Sequence, residues 1–204
     1  MLRAFTAGLL LITISELGDK TFFIALILAM KHSRKLVFIG VASALAAMTI
    51  ISVLFGRVVS LLPPTYVKYA EIILFFAFGI KLLYAAMKMS GANCETEVNE
   101  AKEVVEKAEL QANIKTPLAI LIEAFTLTFI AEWGDRTQIA TIALAASYNA
   151  VGVAAGAVLG HAICTAIAVI GGKLIAGRIS ERTLTFASGG LFLIFGILAA
   201  VQGV

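Results

Sequence analysis

The chain has 204 residues, of which 60% are hydrophobic and only 14% charged, and its mean hydropathy is +0.98. That apolar share excludes an ordinary soluble domain. The formal net charge of +3 says less than the positions of the charges, because membrane orientation follows Lys and Arg near helix ends.

Apolar runs close to the roughly 20 residues that a bilayer requires recur at Ala4 to Met30, Lys35 to Leu62, Tyr66 to Met87, Pro117 to Ala146, Val151 to Ile175 and Leu184 to Val201. They are long and continuously apolar, unlike the short alternating segments of a membrane β-barrel. The expectation is an all-α integral membrane protein with six transmembrane helices.

The first run is too long for a signal-peptide core and has no convincing small-residue cleavage site, so it is read as a retained helix. It contains SELGDKTFF, with Glu16, Asp19 and Lys20 in its middle. Apolar or small residues flank that motif over about 18 Å before it and 13 Å after it at helical rise, which puts the charges near the bilayer midplane. Glu16 with Asp19 is an i, i+3 pair and Glu16 with Lys20 an i, i+4 pair, so all three are expected on one side of the helix, as are Glu132, Asp135 and Arg136.

The second and third runs carry no such cluster. In the third, Glu71 and Lys81 lie near enough to the ends for snorkelling to be the default reading, and Glu123 in the fourth run is read in the same way. Gly40 suits close helix packing. Thr49 either lines a cavity or bonds back to its own helix.

Residues 90–115 form the one long polar segment, with six glutamates (Glu95, Glu97, Glu100, Glu103, Glu106, Glu109) against Lys102, Lys107 and Lys115. A solvated linker is the favoured reading. Val98, Ala101, Val105 and Ala108 also have the spacing of a short amphipathic helix on the cytoplasmic surface. Cys94 lies in this segment and Cys164 in the fifth run, so no disulfide framework is implied.

The fourth run repeats the first. A shift of 116 residues lays Glu16, Gly18, Asp19, Lys20 and Thr21 onto Glu132, Gly134, Asp135, Arg136 and Thr137, and continues through Gly40 on Gly156, Thr49 on Thr165 and Arg57 on Lys173. The chain therefore reads as two three-helix repeats, residues 1–89 and 116–204, joined by the acidic linker 90–115. Three helices per unit is an odd number, so the second unit enters the membrane inverted. Lys31, Arg34, Lys35, Lys88, Lys102, Lys107, Lys115, Arg178 and Arg182 crowd one side, against Arg3, Lys68 and Arg57 on the other. The crowded side is expected to be cytoplasmic, with both termini on the opposite face.

Six ionisable side chains at mid-membrane would cost about 15–21 kcal/mol if unpartnered, more than the whole stability of a typical domain. They must face each other or a wet cavity. Four carboxylates against two cations leave a net charge of −2, which one divalent cation neutralises and which protons neutralise in its absence. Metal and protons then compete for one site.

The ligands on offer are hard oxygens: the carboxylates, the hydroxyls of Thr21 and Thr137, the Gln138 amide, and carbonyls freed at Gly18 and Gly134. They suit manganese, calcium or magnesium. Lys20 and Arg136 read as counter-charges. The competing structural reading is a buried ionic staple between two helices, and duplication with the glycine retained argues against it. His161, inside the fifth run and without a repeat partner, is either a pathway residue or a packing residue; Thr165 is weighed as Thr49 is.

The paired motifs ELGDKT and EWGDRT resemble the E-x-G-D-[KR]-[TS] signatures of the Gdt-one family of cation/proton exchangers, and the resemblance covers nearly the whole chain. It implies export of Mn2+, or alternatively Ca2+, from the cytoplasm in exchange for H+, with Glu16, Asp19, Glu132 and Asp135 as metal ligands and proton carriers and Thr21 and Thr137 at the hydroxyl positions. EAFTLTFIAEWGDRTQIATIALAAS is similar to the cyanobacterial and plastid branch, which implies manganese and a prokaryotic inner membrane or a thylakoid membrane. No plastid-targeting extension is expected before Met1. Phe22 opposite Gln138 makes the two half-sites unequal.

The expected partners are a divalent cation, protons and the lipid bilayer, with no nucleic acid and no prosthetic group, and no enzyme activity. Two rivals remain. Intramembrane aspartyl proteases place an aspartate in a G-x-G-D pattern, although glutamate stands here in place of the first glycine. A passive channel would move metal without protons.

Overall fold

The computed structural model describes residues 1–89, 95–111, 116–175 and 180–201. Those residues fold into helices without a strand: α1 Leu2–Glu16, α2 Lys20–Lys31, α3 Arg34–Val59, α4 Pro64–Lys88, α5 Glu95–Gln111, α6 Pro117–Ala131, α7 Arg136–Ser147, α8 Ala150–Ile175 and α9 Glu181–Val201. The all-α expectation holds. Lys115, Arg178 and Cys94 fall outside the described residues.

Four helices, α3, α4, α8 and α9, are long and apolar enough to cross a membrane, and α6 with α7, bent by 74°, make a fifth span if taken together. The chain is a multi-pass membrane protein. Its outer surface is apolar, with Ile39, Ile50, Leu54, Ile73, Ile80, Ile170 and Ile194 all exposed, as contact with lipid tails requires.

The first and fourth apolar runs are not continuous helices. Each breaks at its motif, so Glu16 ends α1 while Lys20 opens α2, and the single charged face expected for Glu16, Asp19 and Lys20 does not form. The cause is the glycine. Leu17 has φ −63° and ψ 115°, Gly18 has φ +78°, and the Asp19 N–H donates to the Glu16 carbonyl at 3.2 Å. That is a type II turn, whose third position needs the left-handed backbone glycine adopts freely. Gly134, at φ +83°, sits in the matching loop, closed by the Asp135 N–H on the Glu132 carbonyl at 3.2 Å.

The short helix α2 is enclosed, whereas α6 keeps Leu118, Ile122 and Ile130 on the outer surface. Every residue from Thr21 to Ala29 of α2 is buried, the all-round apolarity of a fully enclosed helix. Helix α1 lies along α8, α6 against α3, and α4 along α9. Gly156 lets α1 approach α8 so closely that a Cβ there would overlap the Phe5 carbonyl. On the other side a Cβ at Gly40 would come within 2.7 Å of Ala124 on α6.

Two further expectations change. Residues 95–111 form a helix rather than a solvated linker, because Ala101 and Val105 are fully buried against the α2 cluster. It is amphipathic, as the spacing of Val98, Ala101 and Val105 allows, with Glu103, Glu106 and Lys107 exposed, and Glu100 accepts from Lys20 Nζ at 3.2 Å at the start of α2. Glu71 and Glu123 do not snorkel. Glu71 is buried with Lys68 Nζ 3.6 Å away, and the Glu123 carboxylate is 3.8 Å from His32 Nε2. Both lie where α4 meets α7 and α2 meets α6, so helix packing closes over them; Lys81 alone is exposed.

Candidate functional site

The two broken helices meet at their breaks. One carboxylate oxygen each from Glu16, Glu132 and Asp135 lies within 4.8 Å of the others, near enough for one ion to touch all three. Glu16 and Glu132 are 2% and 4% exposed, so their charges are held away from bulk water. Like charges so placed repel unless a cation or protons sit among them.

Asp19 stands beside this group rather than in it. Its Oδ1 is 3.6 Å from Arg136 Nη2, and Arg136 Nε is 3.7 Å from Asp135 Oδ1. Arg136 thus bridges the aspartates of the two motifs. Lys20 pairs with Glu100 at 3.2 Å, while Arg136 lies between the two aspartates.

The hydroxyls are arranged around the carboxylates. Thr21 Oγ1 donates to Glu16 Oε2 at 3.3 Å, and Thr137 donates to Asp135 Oδ2 through both Oγ1 (3.0 Å) and its backbone N–H (3.2 Å). The latter caps α7, and Asp19 at the same position of α2 makes no such cap bond. Gln138 Oε1 accepts from the Gly134 N–H at 2.7 Å and so braces the turn; Phe22 cannot, which is the physical content of the asymmetry between the motifs. Thr49 and Thr165 donate to the carbonyls of Leu45 and His161. His161 is 5% exposed.

A cavity of about 100 Å³ adjoins the site, lined by Ser15, Gly18, Asp19, Arg136, Met89 and Ser188 among others. Ser15 and Ser188 are residues that the motif reading overlooks. Ser188, a buried polar side chain within the apolar α9 that donates to the Ile14 carbonyl at 3.2 Å, was the available signal.

Helices of spanning length around two interrupted ones, with converging carboxylates where the interruptions meet, define a multi-pass membrane protein with a buried carboxylate cluster. A sequence model described as "Divalent cation/proton antiporter GDT1" matches residues 4–90 and 120–204. The chain belongs to this family of divalent cation/proton antiporters. It is 56% identical over 200 residues (98% of this chain, 97% of the relative) to the GDT1-like protein sll0615 of Synechocystis. It is 44% identical to GDT1-like protein 3 of Arabidopsis thaliana, covering 92% of this chain and 67% of that one. To the chloroplastic protein PAM71-homolog of the same plant it is 40% identical, covering 94% and 57%. No solved structure matches the chain.

Proposed function

We propose that this protein exports Mn2+ from the cytoplasm in exchange for protons. The observation that carries the reading is the convergence of Glu16, Glu132 and Asp135, contributed by both halves of the chain, within 4.8 Å of one another in a buried position. These three carboxylates are the inner ligands and proton carriers. Asp19 joins them when Arg136 releases it, and Thr21, Thr137 and Gln138 supply further oxygens or hold the ligands in place. The all-oxygen set suits a hard divalent ion. Ca2+ is the second reading, since it accepts the same ligands.

The layout is that of six membrane crossings in two inverted three-helix repeats, 1–89 and 116–204, joined by residues 90–115. The reading is supported by the positive-φ glycine and the matching turn hydrogen bond in both motifs and by the reciprocal packing of α1 on α8 and α6 on α3. At each break a helix C-terminus and a helix N-terminus meet. Freed carbonyls then face the cation while N–H groups favour the carboxylates when it has left. The cavity beside Asp19 and Arg136 lies toward the end of α4 and the start of α9, the side that carries Lys88 and Arg182 and is assigned to the cytoplasm. It is the inward vestibule of the cycle, with the termini on the far face. The membrane is a prokaryotic inner membrane or a thylakoid.

Proteoliposomes carrying a pH dye and a manganese-sensitive dye test this. A pH gradient should drive Mn2+ movement, and an Mn2+ gradient should drive proton movement in the opposite sense. Mn2+ flux indifferent to the pH gradient would leave a channel.

A further inference from the structure

Between the start of α3 and the C-terminal part of α8 lies a groove of about 430 Å³ that the carboxylate site does not use. Phe38 and Val169 form its floor, and both pack into the core cluster around α2. Ile39 and Ile170 form its outer walls and are 52% and 72% exposed, so the groove opens toward lipid. Its volume is that of a ligand site rather than a packing defect, and no acidic side chain lines it.

Two cations stand at one end. Arg34 and Lys35 line the same groove, each one helical turn from an apolar lining residue, Arg34 from Phe38 and Lys35 from Ile39. Both are exposed, and neither has an ion-pair partner among the described residues. They occupy the first turn of α3, where positive charge opposes the helix dipole, and Ser33 before them makes no side-chain cap bond. The positive-inside rule accounts for cations on this side of the membrane. It does not account for an apolar groove opening directly beside them.

A ligand that satisfies both features is apolar along its length and anionic at one end. We propose that the groove holds one anionic phospholipid, with an acyl chain against Phe38, Val169 and Ile170 and the headgroup phosphate on Arg34 and Lys35. The phosphate accepts charge-assisted hydrogen bonds from both side chains, whereas a zwitterionic headgroup would bring its own cation beside them. On the topology proposed above, the lipid comes from the cytoplasmic leaflet. Its chain bridges α3 and α8, the two helices that pack on the enclosed α2, and so braces the wall around that helix.

The test titrates the purified protein in detergent with phosphatidylglycerol, phosphatidylcholine or inorganic phosphate. Native mass spectrometry reads bound lipid, and the melting temperature reads stabilisation. One phosphatidylglycerol should bind at least about tenfold more tightly than phosphatidylcholine and raise the melting temperature, and inorganic phosphate should do neither. Arg34→Gln with Lys35→Gln should weaken that binding about thirtyfold, the product of about fivefold for each interfacial cation. Ala166→Trp, which fills the groove and leaves both cations, should weaken it as well; Ile170→Trp on the exposed wall serves if that variant does not fold. Lys88→Gln with Arg182→Gln, on the same side of the membrane but outside the groove, should bind as wild type does. Equal affinity for the two lipids, wild-type binding by the Arg34/Lys35 double variant, or the same loss in the Lys88/Arg182 variant overturns the inference. Stabilisation by inorganic phosphate equal to that by the lipid also overturns it, leaving an anion site with no place for a chain. Binding is read here without any transport, so the antiport reading stands or falls separately.

Discussion

Arg136 Nη2 lies 3.6 Å from Asp19 Oδ1 across the meeting point of the two motifs, while the same guanidinium reaches Asp135 at 3.7 Å. One cation therefore ties together the aspartates of both halves, and its fork can serve two carboxylates where an ammonium serves one. Arg136→Lys should keep the charge and lose the bridge. The expected outcome is roughly a tenfold or greater fall in exchange rate, equivalent to about 1.4 kcal/mol, with Mn2+ still bound. Stopped-flow proteoliposome assays give the rate and calorimetry the binding. A wild-type rate in the lysine variant would show that the bridge is incidental.

Glu16 and Glu132 are the two most buried members of the converging group. Replacing either by glutamine keeps size and hydrogen bonding but removes one charge and one strong ligand. Glu16→Gln and Glu132→Gln should each abolish proton-coupled transport and weaken Mn2+ binding by at least about tenfold, as measured on detergent-purified protein. Wild-type uptake by either variant would remove the cluster from the mechanism.

The E-x-G-D signature is also a folding instruction. A Cβ at Gly134 would meet nothing within 4 Å, yet its φ is +83°. Gly134→Ala therefore isolates backbone strain from packing. The cost should be about 1–2 kcal/mol, read as a lowered melting temperature, and Gly134→Asn should cost less because asparagine tolerates this region. An alanine variant as stable as wild type would mean that the break does not require the left-handed residue.

Much of this was legible in the chain, and what was not has a specific cause. The apolar runs, the 116-residue repeat and the residues that converge were all visible. The i, i+3 and i, i+4 spacing does not become one charged face because the helix is interrupted at Gly18, and glycine followed by aspartate is also the signature of one helix ending and another being capped. The break sets Lys20 at the start of α2, where it pairs with Glu100, and sets Arg136 between the two aspartates. Vestibule residues such as Ser188 belong to no repeat match, since α4 and α9 share no charged motif.

Helix α5 separates a contact that looks important from one that stabilises. The Lys20–Glu100 pair is partly exposed, at 33% and 53%, and such pairs contribute about 0–1 kcal/mol. Val105 is fully buried, and burying a valine is worth about 1.5–3 kcal/mol. Glu100→Gln should leave α5 in place, while Val105→Asp should release it. Hydrogen exchange over residues 95–111 reports the difference, and protection that survives Val105→Asp would place the docking energy elsewhere.

The last prediction concerns pH. A carboxylate that ligates Mn2+ must give up its proton first, so every proton displaced on binding makes the apparent affinity pH-dependent. As pH falls, protons compete more strongly for the buried cluster and the apparent Kd for Mn2+ must rise; the sign is fixed by competition for the same oxygens. If two protons leave for each doubly charged ion, log Kd should change by about two per pH unit where the free site is protonated and flatten to zero where it is ionised. Calorimetry in buffers of different ionisation enthalpy counts the released protons directly. Binding that is independent of pH across the whole range would mean that metal and protons do not share ligands, and proton coupling would then need groups outside the cluster.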